Sequence, residues 1–183
     1  FNTDYEGDYN VYLNDPRNIN LGKKLITNKK ILIENEKLKE INETEYHEIL
    51  INHTTPYSPF DILENKSLLL ENNFDNLNAI DWDKGCYVGQ EITARMKYRG
   101  LLKKKLYALK IKSGDVLEGD ELIVDNKKIG TIVSKANSNI FAALNINFVN
   151  EIKNKNQNLV INDSLSFDFL NWKFFSIKTN WKY

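Results

Sequence analysis

The segment Asp83-Lys84-Gly85-Cys86-Tyr87-Val88-Gly89-Gln90-Glu91, running on into Ile92-Thr93-Ala94-Arg95, holds the one cysteine of the 183 residues. Cys86 follows Lys84 and Gly85, and the residues from Val88 to Lys97 form a helix-like run that Gly100 ends. Glycines at 85 and 89 permit a tight turn and close approach of a ligand to the backbone. A thiol at a helix N-terminus beside a cation has a lowered pKa and a larger thiolate fraction, which makes it a nucleophile. A lone free cysteine is also commonly a small buried hydrophobe. The residues around Cys86 leave both readings open.

Upstream of this segment, Tyr9–Leu13 alternates as a strand and stops at Asn14-Asp15-Pro16-Arg17, a turn signature. Asn20-Leu21-Gly22 makes a second turn before a short strand at Lys24–Thr27, and Ile31-Leu32-Ile33 is strand-like as well. Asn42-Glu43-Thr44-Glu45 spells a capping box and so a helix start, with Tyr46, Ile49, Leu50 and His53 on one face and Thr55-Pro56 at its end. His47 and His53 do not share a helical face well and read as surface or rim histidines, not as a metal pair. Leu68-Leu69-Leu70 reads as a short strand from Ser67 to Glu71, followed by a turn at Asn72–Asp75.

Downstream of Gly100 the texture changes. Residues 103–112 alternate basic and apolar as a half-buried strand, and short strands follow at Glu121–Val124, Ile129–Ser134, Phe141–Phe148, Leu159–Ile161, Leu165–Leu170 and Lys173–Ile177. Polar turns separate them and helix signals are nearly absent, which suggests a small antiparallel barrel or sandwich and a domain boundary near residue 101. Lys103-Lys104-Lys105, with Lys97 and Arg99 before it, is either a solvated strand end or an anion-binding rim. Trp172 and Trp181 read as core or lid residues.

Composition narrows the field. Lys+Arg and Asp+Glu are both 25, so no global charge argues for nucleic acid or a membrane surface. One cysteine excludes an intrachain disulfide framework, and two histidines leave little for a zinc site, so no metal site is expected. No apolar run approaches the roughly 20 residues that span a bilayer. A cytoplasmic monomer is the expectation. The chain opens at Phe1 and its only methionine is Met96, as if cut from a longer protein.

Lys84-Gly85-Cys86-Tyr87-Val88-Gly89-Gln90-Glu91, with Ala94-Arg95 and Tyr98-Arg99-Gly100 behind it, resembles the signature of the YgfZ family. These are folate-binding proteins related to the aminomethyltransferase (T-protein) of the glycine cleavage system. Asp15-Pro16-Arg17 with Leu21-Gly22, and Leu70 to Leu77, match patterns of the same family, so the resemblance covers most of the chain. It implies an α+β protein: residues 1–100 as the second, C-terminal half of an aminomethyltransferase-like folate-binding domain, and residues 101–183 as a small antiparallel β-barrel. A further N-terminal portion would complete the folate cavity.

The resemblance also implies a role in assembly or repair of iron–sulfur clusters in client enzymes, with tetrahydrofolate or a folate derivative as cofactor and iron–sulfur client proteins as partners. Cys86 matches the cysteine that the family needs for activity. Lys84, Tyr87 and Gln90 match its frame and are candidate folate-binding residues. Glu71 matches the carboxylate that faces the pterin in the aminomethyltransferases, where it can accept two N–H bonds from the 2-amino-pyrimidinone edge; it can equally be an exposed turn glutamate. Arg95 and Arg99 are candidates for the glutamate tail of the folate, although Arg95 can equally pair with Glu91 four residues earlier.

Two other readings stay open. One is a tetrahydrofolate-dependent aminomethyltransferase or related one-carbon transferase; the other is a binding module in which Cys86 is structural. The aminomethyltransferases carry an apolar or aromatic residue where this chain has Cys86, and they use an acidic residue from their N-terminal portion. A thiol instead suits attack on an electrophile, transient contact with sulfur or iron, or redox exchange. Whether the protein is an enzyme is left undecided.

Overall fold

The computed structural model describes residues 10–27, 39–85, 88–155, 158–162 and 164–170. In chain order the elements are β1 (Asn10–Asn14), one turn of 3-10 helix (Ile19–Leu21), β2 (Lys23–Thr27), α1 (Glu43–Asn52) and α2 (Gln90–Tyr98). Then come β3 (Lys104–Ser113), β4 (Glu121–Val124), β5 (Lys127–Ala136), β6 (Asn139–Asn145), α3 (Ile146–Asn154), β7 (Leu159–Asn162) and β8 (Leu165–Phe169). The strand expected at 31–33, the one expected at 173–177, and Trp172 and Trp181 lie outside the described residues.

Local chemistry starts each piece. β1 and β2 pair antiparallel, Val11 opposite Ile26 and Tyr12 opposite Leu25, and the connecting turn closes with Asp15 N–H donating to the Gly22 carbonyl at 2.9 Å. The capping box at α1 forms as expected: Glu45 N–H donates to Asn42 Oδ1 at 2.8 Å, and Asn42 N–H donates to Glu45 Oε2 at 2.9 Å. The buried face of α1 is His47, Leu50 and Ile51, not the expected Tyr46, Ile49, Leu50 and His53, because the helix is covered by β5 and β6 as well as by the loop that follows it.

β3 to β8 form one six-stranded antiparallel sheet in the order β4-β5-β6-β3-β8-β7, and its outer strands β4 and β7 come together so that it nearly closes into a barrel. Asp125 and Asn126, both at positive φ, turn β4 into β5, the backbone pattern that tight hairpins favour. Gly130 in β5 lies across from Leu144, and an added Cβ would sit 2.5 Å from the Ala143 carbonyl oxygen, so this crossing admits only glycine. Inside the sheet, Tyr107 and Leu109 pack with Ile132, Ile140, Leu144 and Phe167.

Three expectations change here. β3 is not half-buried: Leu106, Tyr107, Ala108 and Leu109 are buried in succession, because Leu106 and Ala108 face a second cluster with Phe141, Ala136 and Ile51 of α1. The strand expected over Phe141–Phe148 stops at Asn145, whose side chain accepts from Asn147 and Phe148 N–H and starts α3. Val149 and Ile152, three residues apart, then face the sheet from a helix. The segment Ser67–Glu71 is a series of turns, not a strand.

Candidate functional site

The stretch from Thr54 to Gly89 contains no helix or strand among its described residues and is held by side chains at its turns. Leu70 and Leu77 are buried anchors, and Asn73, at φ +63°, donates from Nδ2 to the Leu106 carbonyl at 2.7 Å. Leu106 N–H in turn donates to the Glu71 carbonyl at 2.7 Å, which fixes Glu71 against the start of β3. The Glu71 carboxylate, with a side chain 17% exposed, meets Lys104 Nζ at 3.3 Å, and Asp75 meets Lys105 at 3.3 Å. The basic cluster at 103–105 is therefore neutralised in part by carboxylates from the preceding turn. Among the described residues, Lys103 alone of the three faces solvent with no ion pair to an acidic side chain.

α2 follows. Gly89 caps it at φ +88°, a conformation costly for any residue with a Cβ. Thr93 and Met96 turn inward. Arg95 pairs with Glu91 at 2.5 Å across one helical turn, the alternative noted for it, and both side chains are exposed. Arg99 is exposed at the C-cap, Gln90 is half-buried in the first turn, and Lys84 is exposed. Lys97 Nζ lies 3.4 Å over the ring of Trp82, which meets Tyr98 edge-on at 6.4 Å, and this clasp joins the two ends of the segment that carries Cys86. Cys86 and Tyr87 themselves lie outside the described residues.

Does this donor set fit a folate? Glu71 retains its second carboxylate oxygen beyond the Lys104 contact, which can accept from an amino-pyrimidinone edge. Arg99 and Lys103 are exposed cations suited to the carboxylates of a glutamate tail. The fit is partial: Glu71 and Arg95 have different ion-pair partners and share none.

The Asp15-Pro16-Arg17 match is a structural hub. Arg17 donates from Nε to Asp15 Oδ1 at 3.0 Å and from Nη2 to Oδ2 at 2.7 Å, Lys24 adds a contact at 3.5 Å, and Arg17 also reaches the Tyr46 hydroxyl at 3.5 Å. The hydrogen bonds from Arg17 hold the Asp15 carboxyl down at about 2 although its burial acts the other way, and the same pairing raises Arg17. Asn78 donates to the Pro16 carbonyl at 3.2 Å, so this hub ties the β1–β2 ribbon to α1 and to the turns around Glu71.

One polar network has no counterpart in the sequence reading. His47 is buried, not a rim residue, and its Nε2 donates to Asp61 Oδ1 at 2.9 Å. Ser134 of β5 donates to the same oxygen, and Tyr57 N–H donates to Asp61 Oδ2 at 2.7 Å. Asp61 stands between the histidine and the serine, so the order needed for a nucleophilic triad, with histidine in the middle, is not met. The network joins α1 and the 57–61 turn to the sheet. Its one sequence signal was Asp61, a lone acid in the apolar run Pro56–Leu63.

No family model matches the sequence. The chain is similar to the mitochondrial iron–sulfur cluster assembly factor IBA57 homolog of Dictyostelium discoideum, 32% identical over 130 residues that make up 67% of this chain and 32% of that protein. It is 30% identical over 103 residues to iron–sulfur cluster assembly factor IBA57 of Mus musculus, and 29% over 102 residues to that of Homo sapiens; each match covers 55% of this chain and 28% of the relative. The chain spans about a third or less of the length of the curated relatives it matches.

Their names correct the cytoplasmic expectation: the relatives are mitochondrial proteins, which points to that compartment. A low cysteine count speaks only against a disulfide framework and does not choose between reducing compartments. Among the described residues no helix is long and apolar enough to cross a membrane.

Proposed function

We propose that this protein acts in the assembly or repair of iron–sulfur clusters in client enzymes, with tetrahydrofolate as cofactor and Cys86 as its reactive group. The observation that supports the role most directly is the similarity, over two thirds of the chain, to a protein named as an iron–sulfur cluster assembly factor. The cluster is cargo or substrate here. Folate, when bound, supplies a one-carbon carrier; Glu71 would hold its pterin edge, and Arg99 with Lys103 its glutamate tail. Lys84, Tyr87, Gln90 and Arg95 are kept as candidate contacts, and residues 1–100 and 101–183 as the folate-binding and barrel units. In the full-length protein, Cys86→Ser should abolish the recovery of client iron–sulfur enzyme activities in depleted cells; unimpaired recovery would remove Cys86 from the mechanism. Glu71→Ala should weaken tetrahydrofolate binding in calorimetry by about 1.5–3 kcal/mol, and an unchanged affinity would take Glu71 out of the site.

A further inference from the structure

Glu71 is held to β3 by its backbone, independently of its charge. β8 pairs β3 over Leu109–Ser113, and Leu170 N–H reaches the Ala108 carbonyl, so the edge of β3 ahead of Ala108 is left to another segment. The turn from Leu70 to Asp75 takes it. Leu106 N–H donates to the Glu71 carbonyl at 2.7 Å, and the Leu106 carbonyl accepts from Asn73 Nδ2 at 2.7 Å. Neither bond uses the Glu71 side chain. Lys104 stands two residues before Leu106 in the same strand, and its Nζ meets Glu71 Oε2 at 3.3 Å. The carboxylate is the more covered partner, with a side chain 17% exposed against 56% for Lys104. Glu71 Oε1 has no partner among the described residues.

We infer that Lys104 is a positioning residue: it holds the Glu71 carboxylate by one oxygen and leaves Oε1 to accept from the amino-pyrimidinone edge of a pterin. The inference rests on the reading of Glu71 as a pterin-binding carboxylate, and it adds the residue that orients it. A glutamate side chain free in solvent must be ordered when a ligand binds, which costs affinity. The backbone bonds through Leu106 bring Glu71 and Lys104 within reach of each other, so here that ordering is made in advance. An ion pair with one exposed partner adds little to stability, and the turn already has its own hydrogen bonds and the buried Leu70 and Asn73. The contribution of Lys104 therefore falls on binding rather than on folding. Lys105 does not share the task, because its Nζ meets both oxygens of Asp75, at 3.4 and 3.3 Å.

The test uses the full-length protein in calorimetry, with tetrahydrofolate and with its 2-desamino-2-methyl analogue, which lacks the amino donor. Lys104→Met should bind tetrahydrofolate about five- to tenfold more weakly, the scale of ordering one long side chain at a site. Its affinity for the analogue should stay at the wild-type level, and Lys104→Arg should restore tetrahydrofolate binding. Comparing two ligands on one variant keeps the result readable even where the variant loses stability. Adding Lys104→Met to Glu71→Ala should cost nothing further, because the two residues act through one contact. Unchanged affinity in Lys104→Met, tighter binding that marks Lys104 as a competitor for the carboxylate, or an equal loss for both ligands would each overturn the positioning role. Glu71→Ala separates the two readings. Binding weakened by Glu71→Ala but not by Lys104→Met sinks the positioning role alone, whereas binding unmoved by Glu71→Ala counts against the pterin site itself.

Discussion

The sheet of β3–β8 and the β1–β2 ribbon are both antiparallel, yet they treat their apolar residues in opposite ways. In the sheet, Leu109, Ile132, Ile140 and Phe167 face one another inside a nearly closed wall, and α1 covers the outer side of β5 and β6. In the ribbon, Val11, Leu13 and Ile26 lie on one face and Tyr12 and Leu25 on the other, and all five are exposed. Two strands alone bury too little to be stable in water. The ribbon is held by polar means, through the Asp15–Arg17 hub and its contacts to Tyr46 and to Asn78. Burial holds the sheet together, whereas charge and hydrogen bonds hold the ribbon and the turns around Glu71.

That contrast can be broken at several points. Phe167→Ala, in the closed core, should cost about 3–5 kcal/mol in urea unfolding; a cost below that of the polar-hub variants would mean the sheet is not the stability centre. Asp61→Ala leaves His47 and Ser134 buried without their acceptor and should cost about 2–4 kcal/mol. Partial restoration by the double variant Asp61→Ala with Ser134→Ala, which leaves His47 alone without its acceptor, would confirm that the unpaired groups, not a lost shape, carry that cost.

Asp15→Asn should cost about 1.5–3 kcal/mol near neutral pH, the range for hydrogen bonds to a charged group. Its pH dependence has a fixed sign. The folded value of about 2 lies below the ordinary 3.8, so the contribution of Asp15 is complete above 3.8 and is lost as pH falls through 2. The stability gap between wild type and Asp15→Asn should therefore close on acidification below pH 4, and a gap that stays constant down to pH 2 would show that Asp15 does not act as a charge.

The smallest effect should be favourable. α1 ends with Thr54 N–H donating to Ile51 and Thr55 N–H donating to Leu50, a Schellman arrangement in which Thr54 sits at φ +53°, buried. A β-branched residue in that region is strained by about 1 kcal/mol or more, and its hydroxyl has no hydrogen-bond partner among the described residues. Thr54→Gly should raise stability by about 0.5–1 kcal/mol after the loss of a buried methyl group is subtracted, as read by thermal melting.

Legibility followed the range of the interactions. The capping box at Asn42–Glu45, the turn at Asn20–Gly22, the end of α2 at Gly100 and most strands of the sheet were readable because each depends on neighbours a few residues away. α3 was hidden because Phe141–Phe148 is apolar apart from Asn145 and Asn147, and the cap at Asn145 marks where the strand period gives way to the helical one. Of the candidate site, the Glu91–Arg95 pair was readable from its spacing. The engagement of Glu71 by Lys104 was not, since those residues meet only when the 70–77 turn wraps the start of β3.

Sequence alone determined where the chain turns, which segments alternate, that no disulfide framework supports it, and which short motif to compare with known families, because those are properties of adjacent residues. Tertiary structure alone decided which side of β5 Ser134 faces. The bulge between Ile132 and Ser134 shifts the register by one residue, so Ile132 stays in the barrel core opposite Ala142 while Ser134, opposite Phe141, turns toward α1 and Asp61. A period of two, read straight through, would have put both on the same face. His47 is interior for a tertiary reason too: the loop after α1 folds back so that Phe60 stacks on its ring at 5.2 Å and Asp61 accepts from it.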